Sequence, residues 1–430
     1  MSSLNLIPIG TLFDLEKGSL QSSKCTEGEY TFITAAEEWK THNEYSHECE
    51  ALIFAAAASG SLGRTHYIND KFITSDLCFI LTPKDSKKYP INLKFYHFVF
   101  NSLKDEIVKN TKSGTSKESI NQSNLRSYEI PYFEIDKQNL WIDKLVNTKS
   151  IKEDLELELS TGQSLLKQLK QTILQEAIEG KLTEKWRAKN PDIGTAKELL
   201  EQIKTEKEKL VKDKKIKASK PLAPINEDEI PFDIPASWEW CRLGDICTKI
   251  TDGFHNTPKK LQSGYPYISA THVKSEKIDW QNCDYVDEKN HKELMFKASP
   301  QNGEILLVNI GAGCGTPAII DVDYEFSFKN TAILKFKQDL IHNRYLFYYF
   351  ILNREKIYLE LTQGGLQPFL SLKIINSVIL PLPTLEEQKE IVATIEKLFA
   401  ITDELECEIN QNKITVENLM ATVLKEAFEN

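Results

Sequence analysis

The feature that most constrains this chain is an internal repeat at the scale of a domain. Residues 169–179 read LKQTILQEAIE and residues 419–429 read LMATVLKEAFE. At an offset of 250, Leu169/Leu419, Thr172/Thr422, Leu174/Leu424, Glu176/Glu426, Ala177/Ala427 and Glu179/Glu429 are identical. The same offset sets Ile130-Pro131 on Leu380-Pro381 and Gln138 on Gln388. An offset of 251 sets Thr111–Gly114 on Thr362–Gly365, 252 sets Ser59–Gly63 on Gly311–Gly315, and 235 sets Phe32–Ala35 on Tyr267–Ala270. The matches keep their order while the offsets drift by about a loop length. That pattern is a duplicated unit with insertions.

Each copy has two parts. The first, roughly 1–140 and again 238–383, carries short β-branched and aromatic runs punctuated by turn formers: Tyr30–Ala35, Phe72–Leu81, Tyr265–Thr271, Ile305–Ile310 and Thr331–Phe336. These predict compact domains of short strands with a few helices. One such helix is expected at Arg344–Leu361, matching Lys94–Lys109. The second part is a long helix, over 141–194 and 384–430. In the later copy Ile391, Ile395, Leu398, Thr402, Leu405, Ile409, Asn412, Val416, Leu419 and Val423 alternate spacings of four and three, a sustained heptad seam. In the earlier copy Leu155, Leu159, Gly162, Leu166, Leu169 and Ile173 fall on the same seam at an offset of 250. The expected fold is mixed α/β: two globular domains alternating with two long helices that pair as an antiparallel coiled coil, with pseudo-twofold repetition. Segment 195–237 has no counterpart. It opens as a charged helix, with eight lysines against three acids from Ile203 to Lys220, and continues as an extended linker with four prolines from Pro221 to Pro235. The lysine run reads as a solvated helix face.

Composition limits the function classes. The chain has 430 residues, 41% hydrophobic and 27% charged, the balance of a soluble globular protein of two to four domains. Its longest uncharged apolar run, Ala51–Ala58, falls far short of the ~20 residues of a membrane span. The opening MSSLNLIPIG has no signal-peptide pattern, which points to the cytoplasm. Eight cysteines, none in a C-x-x-C pair, read as thiols in a reducing compartment. A net charge of −10 argues on average against nucleic acid, although a local basic face is compatible with it. The second helix, with eleven acids against four lysines over Thr384–Asn430, suits a protein partner better than a phosphate backbone.

Catalytic signatures are missing: there is no phosphate loop, H-E-x-x-H, G-x-S-x-G or N-P-P-Y-type motif. A nuclease pattern forced from Pro191-Asp192 and Asp213-x-Lys215 would put its acids in a loop and on a lysine-rich helix, not converging on a metal. Gly311-Ala312-Gly313-Cys314-Gly315 follows a strand but precedes no helix, so it reads as a tight turn. Thr251–Lys260 and Thr362–Gln367 are polar, turn-rich loops. Their Asn, His, Thr, Gln and Lys side chains can reach base edges or phosphates, yet their composition alone also fits ordinary surface loops.

The motifs together resemble the specificity subunit of type I restriction–modification systems. The resemblance is carried by Ile234-Pro235-x-x-Trp238-Glu239-Trp240-x-x-Leu243-Gly244-Asp245-Ile246, by Thr251-Asp252-Gly253-Phe254-His255-Asn256-Thr257-Pro258, and by Gln363-Gly364-Gly365-Leu366-Gln367. Leu380-Pro381-Leu382-Pro383-Thr384-Leu385-Glu386-Glu387-Gln388 and Glu176-Ala177-Ile178-Glu179-Gly180-Lys181-Leu182-Thr183-x-x-Trp186-Arg187 complete it. The first copy departs from the pattern, with Lys17-Gly18-Ser19-Leu20 standing where Thr251-Asp252-Gly253-Phe254 stands. The resemblance implies a non-catalytic subunit whose two target-recognition domains each read half of a split double-stranded DNA target, while the helix pair fixes the distance between halves. It implies no cofactor in this chain. S-adenosylmethionine, ATP and Mg are expected in two modification (methyltransferase) subunits and in the restriction (translocase/nuclease) subunits that are its partners. The expected DNA contacts are Thr251, Asp252, Gly253, His255, Asn256, Thr257, Lys259, Lys260, Thr271, His272, Gly364, Gly365 and Gln367 in the second domain. In the first they are Lys17, Gly18, Ser19, Ser113, Gly114 and Thr115. A single-chain methyltransferase or nuclease, and a coiled-coil adaptor without DNA readout, are the alternatives.

Overall fold

The computed structural model describes residues 5–57, 60–114, 118–218, 220–254, 256–274 and 277–429. The chain divides into two compact units, Met1–Gln163 with Cys407–Asn430, and Ser164–Glu406. The division falls within both long helices, so each unit holds one globular domain and one stretch of the helix pair.

In the first unit a six-stranded sheet runs in the order Phe13–Lys17, Cys78–Pro83, His47–Ala55, Thr65–Thr74, Tyr30–Ile33, Lys40–His42. Its pairings are antiparallel except that Tyr30–Ile33 runs parallel to the end of Thr65–Thr74. The β-rich run Phe72–Leu81 holds the end of one strand and the start of the next, with Ser75–Leu77 between them. Helix Leu93–Ser102 packs Phe95, Tyr96, Val99 and Phe100 into the core against Phe13 and Phe54. A second helix, Lys104–Thr111, continues from it, where one helix over Lys94–Lys109 was expected.

The second unit uses the same plan with one strand broken. Lys249–Asp252, Thr331–Lys335, Ile305–Val308 and Pro317–Ile319 form a four-stranded sheet, and Asp284–Val286, Tyr265–Ser269 and Ser327–Lys329 a three-stranded one. Tyr265–Ser269 runs parallel to Ser327–Lys329, as Tyr30–Ile33 does to Phe72–Thr74. Pro317–Ile319 and Ser327–Lys329 thus share the role of the continuous Thr65–Thr74. The aromatic helix Asn343–Lys356 buries Tyr345 through Phe350 and passes into a π-turn at Ile357–Leu361.

The repeat explains itself at several contacts. Leu6–Pro8 pairs with Glu129–Pro131, and Glu239–Arg242 with Ile379–Leu382. The Tyr96 hydroxyl donates to Pro131 O (3.2 Å), and that of Tyr345 to Pro381 O (2.7 Å). Burial pushes both phenols up from their ordinary value. The buried Gln138 amide accepts from Asn92 N and donates to Phe133 O, both at 2.6 Å. Gln388 repeats this with His342 N (2.8 Å) and Pro383 O (3.0 Å). Each glutamine ties the start of a long helix to the start of its domain's aromatic helix, satisfying backbone groups that would otherwise be buried unpaired.

The long helices are Ile135–Ile178 and Leu385–Glu429. They run antiparallel. In the first unit Lys144 pairs with Glu426 (2.8 Å) while Gln163 bonds Asn410 (3.2 Å), and in the second Lys170 bridges Asp403 (2.7 Å) and Glu406 (2.8 Å). Ile173, Ile391, Ile395, Thr402 and Val416 of the seam are buried, whereas Leu169 (45%) and Leu405 (43%) keep much of their surface. Ile173, Ile391 and Ile395 belong to the core of the second unit, whereas at Leu169 and Leu405 the two helices alone cover only the inner edge of the seam. Of the eight free cysteines, only Cys407 is exposed and four are buried.

In segment 195–237 the lysine run is the expected solvated face, with every lysine from Lys204 to Lys220 exposed except Lys207, while the opposite side of the helix and the proline-rich stretch are packed down. Thr195 and Glu198 form a capping box for Ala196–Lys212, which buries Leu199 and Ile203 against the second unit. The Lys207 ammonium donates to Gly244 O (2.7 Å) and Asp245 O (3.1 Å), and burial lowers its pKa. Arg242 straps the proline-rich stretch down, donating to Ala223 O (2.7 Å), Pro224 O (3.0 Å) and both Glu229 oxygens (3.0 Å). No helix among the described residues is long and apolar enough to cross a membrane.

Candidate nucleic-acid interface

In the second unit the strand ends bring the expected contact loops to one rim. Lys249–Asp252 ends there, and the Gly253 amide donates to Thr331 O (3.2 Å) and the Phe254 amide to Phe328 O (3.1 Å). Ser269, at the end of its strand, is in register with Lys329. Asn309 N donates to Asn330 O (3.2 Å), linking the Gly-rich turn 311–315 to the same place. The loop Thr362–Phe369 closes the rim: Gly311 N donates to Pro368 O (2.8 Å), and Leu370 N to Asn309 O (2.8 Å). Strand ends are where irregular loops can present side chains without breaking the ladder.

Gly253 is dictated by the packing. A Cβ there would lie 2.1 Å from Phe328 O. Gly18 meets the same fate against Ser75 O, also 2.1 Å, and its amide donates to Cys78 O (3.0 Å). Gly18 is therefore the counterpart of Gly253, and Ser19 of Phe254. The register is one residue away from the sequence alignment of Lys17 with Thr251, because a single glycine, rather than the polar residues around it, defines the site. The first unit's rim is built likewise: Asp76 N donates to Leu20 O (3.1 Å), Ser75 N to Ile33 O (2.9 Å), Ala56 N to Leu77 O (2.9 Å) and Ile120 N to Ala56 O (2.8 Å). Ser113 Oγ donates to Ser119 O (3.3 Å) across the adjoining two-stranded pair, and Gly114 turns at φ +93°.

The individual residues sort by what they already touch. Asn256, Thr257, Lys259, Lys260, Thr271, Gly364, Gly365 and Gln367 are exposed, as are Lys17 and Ser19, while Thr251 is buried. Asp252 is held by the Lys297 ammonium (2.6 Å), and Lys260 by Asp284 (2.6 Å) at the edge of the three-stranded sheet. His272 accepts from Ser269 N at Nδ1 (3.1 Å) and donates from Nε2 to Asn282 O (3.0 Å), so its ring braces the turn. His255 and Thr115 lie outside the described residues. Sequence reasoning passed over Lys329, whose ammonium donates to Thr257 Oγ1, and Asn330 at φ +59°. The signal available was a Lys-Asn pair between two β-rich runs, with Asn the residue best suited to the left-handed region after glycine. Among the described residues no group of three or more His, Cys, Asp or Glu is placed to hold a metal.

Three of the motifs meet elsewhere, in a buried node of the second unit. The fully buried Glu387 accepts from Thr183 Oγ1 and Arg187 Nη1 at one oxygen, and from Trp238 Nε1 at the other, each at 2.8 Å. Arg187 also donates to Gly180 O (2.6 and 3.0 Å) and lies over the Trp238 ring. These motif residues hold the domain to its helices rather than read a ligand.

The family model of the type I restriction modification DNA specificity domain matches residues 2–160 and 235–415. This chain belongs to that family. It is 29% identical over 270 residues to the EcoEI specificity subunit of Escherichia coli, covering 60% of this chain and 44% of that one. It is 22% identical over 442 residues to the Escherichia coli EcoDI specificity subunit, covering 98% and 87%. The chain thus spans less than half the length of the EcoEI subunit and of the EcoAI subunit, where coverage is also 44%. A chain from a structure addressing complex assembly and conformational transition of the type I system aligns over 100% of this chain and 98% of itself (TM-score 0.69, 13% identity). The HsdS subunit of Thermoanaerobacter tengcongensis aligns over 100% and 97% (TM-score 0.57, 14% identity). Both establish likeness of fold.

Proposed function

We propose that this chain is the DNA-reading subunit of a type I restriction–modification complex. Each globular domain reads one half of a split, asymmetric target through its rim, and the length of the helical segments sets the number of unread base pairs. The observation that carries this reading is the rim itself. It occurs twice, is built on the same close-packed glycine in each unit (Gly18 and Gly253), and carries different side chains around that glycine, Lys17 and Ser19 in one and Asp252 and Phe254 in the other. A fixed frame with variable lining is what two different half-sites require. The chain supplies no chemistry of its own. Two modification subunits bring S-adenosylmethionine and methylate, restriction subunits bring ATP and Mg, and the acidic second helix suits a protein partner. This work takes place in the cytoplasm.

Mapping methylated positions in host DNA with and without the gene tests the reading. The expected result is one split motif, methylated only when the gene is present. An unchanged methylation pattern, together with an assembled complex that shows no salt-dependent duplex binding, would leave the adaptor alternative in its place.

A further inference from the structure

Leu366 is the most exposed large apolar residue described, at 107% of its reference surface. A lone surface leucine is ordinary; this one is displayed. It stands at the tip of Gln363-Gly364-Gly365-Leu366-Gln367, and the loop's base is closed by reciprocal hydrogen bonds between Gln363 and Phe369 (2.9 and 2.8 Å). That base is fixed to the Gly-rich turn by Gly311 N to Pro368 O (2.8 Å) and by the Cys314 thiol to Pro368 O (3.5 Å). Gly364 turns at φ +86°, where a Cβ would lie 2.8 Å from Gln367 O, so the reversal needs glycine. A Cβ at Gly365 would meet nothing within 4 Å, so open space surrounds the tip. Gln363 and Gln367, both exposed, flank the leucine with amides able to donate and accept at base edges. Phe369, 38% exposed, adds apolar surface at the foot of the loop.

We propose that Leu366 is a wedge that enters the base stack of the half-site read by the second unit, opening one base step while Gln363 and Gln367 hold the adjoining edges. This rests on the DNA-reading function proposed above. An isobutyl group in water beside a phosphate backbone gains nothing, but between two bases it buries its surface and helps offset the unstacking. A pyrimidine–purine step deforms most readily and is the expected place of entry. An opened step also reduces the cost of extruding a neighbouring base for an enzyme that modifies it outside the duplex. The aligned first-unit stretch after Gly114 reads Thr115-Ser116-Lys117, with no apolar residue, so the distortion belongs to one half-site only.

The test uses the full chain assembled with its modification subunits, and duplexes of the mapped target carrying 2-aminopurine at successive steps of each half-site. The wild type raises fluorescence at one step of the second unit's half-site. Leu366→Ala abolishes that rise, keeps the salt slope and weakens specific binding about tenfold, ~1.4 kcal/mol. Leu366→Phe restores the signal. The position is solvent-exposed, so the alanine variant retains its fold. Specific binding by the wild type with no fluorescent step, or an identical step with Leu366→Ala, overturns the wedge and leaves the reading function standing. Absence of sequence-preferring binding by the wild type overturns both.

Discussion

Replacing Glu387 with alanine should release the second domain from its helices. The carboxylate is fully buried and takes three hydrogen bonds, from Thr183, Arg187 and Trp238. Arg187 keeps only 18% side-chain exposure, so removing its counterion leaves a cation that water reaches poorly. Breaking a buried pair by truncating one partner costs ~3–5 kcal/mol. At ~2–4 °C per kcal/mol for a unit of this size, the second unit's unfolding midpoint should fall by roughly 10 °C. Differential scanning calorimetry of the full chain, which separates units that unfold independently, is the assay. Arg187→Ala should cost a similar amount, and Glu387→Ala/Arg187→Ala clearly less than the sum, because the two share one interaction. A loss below ~1 kcal/mol for Glu387→Ala, or strict additivity, would refute the claim that this node joins domain to helix.

Gly253→Ala should lower binding to the second half-site by at least tenfold while leaving the first half-site's contribution intact, and Gly18→Ala should do the reverse, since each Cβ drives into a carbonyl at 2.1 Å; titrations against half-site-scrambled duplexes check this. Lys259→Ala should weaken binding to all sequences and reduce the salt slope by about one, whereas Asn256→Ala should relax discrimination by ~1–3 kcal/mol at one base pair, as read by competition at two salt concentrations. In the first unit burial, then the charges of Lys149 and His66, hold the His97 imidazole down at about 4. A histidine depressed in the folded state stabilises it above the unfolded value near 6.5, and that stability drains as pH falls from there towards 4. The first unit should therefore lose on the order of 2 kcal/mol over this window, and His97→Gln should flatten that part of the stability–pH curve in urea titrations.

The fold was largely legible because the same solution is written twice. Gln138 and Gln388 stand out in sequence as a match at an offset of 250, and in space they cap equivalent helices. The heptad seam was legible from period alone. The docking of Ala196–Lys212 was hidden by its charge: Ala196, Leu199 and Ile203 recur at helical spacing and are buried, but the surrounding lysines mask that short stripe, and the contact of Lys207 with the carbonyls of Gly244 and Asp245 has no sequence period. At the rim, turn-rich loops could be recognised one by one, but their convergence depends on strand order. That order sets Asn330 beside Asn309, and Gly311 beside Pro368, across gaps no local pattern spans. The one-residue shift between Lys17 and Thr251 shows the same limit, because only the carbonyl pressed on Gly18 and Gly253 reveals the register.

The most direct measurement of the central claim is methylation mapping after exchange of residues 238–383 for the corresponding domain of another family member. If each unit reads one half of the target, the new motif keeps one original half, acquires one foreign half, and retains the number of unread base pairs. A motif changed in both halves, or unchanged in both, would contradict the account.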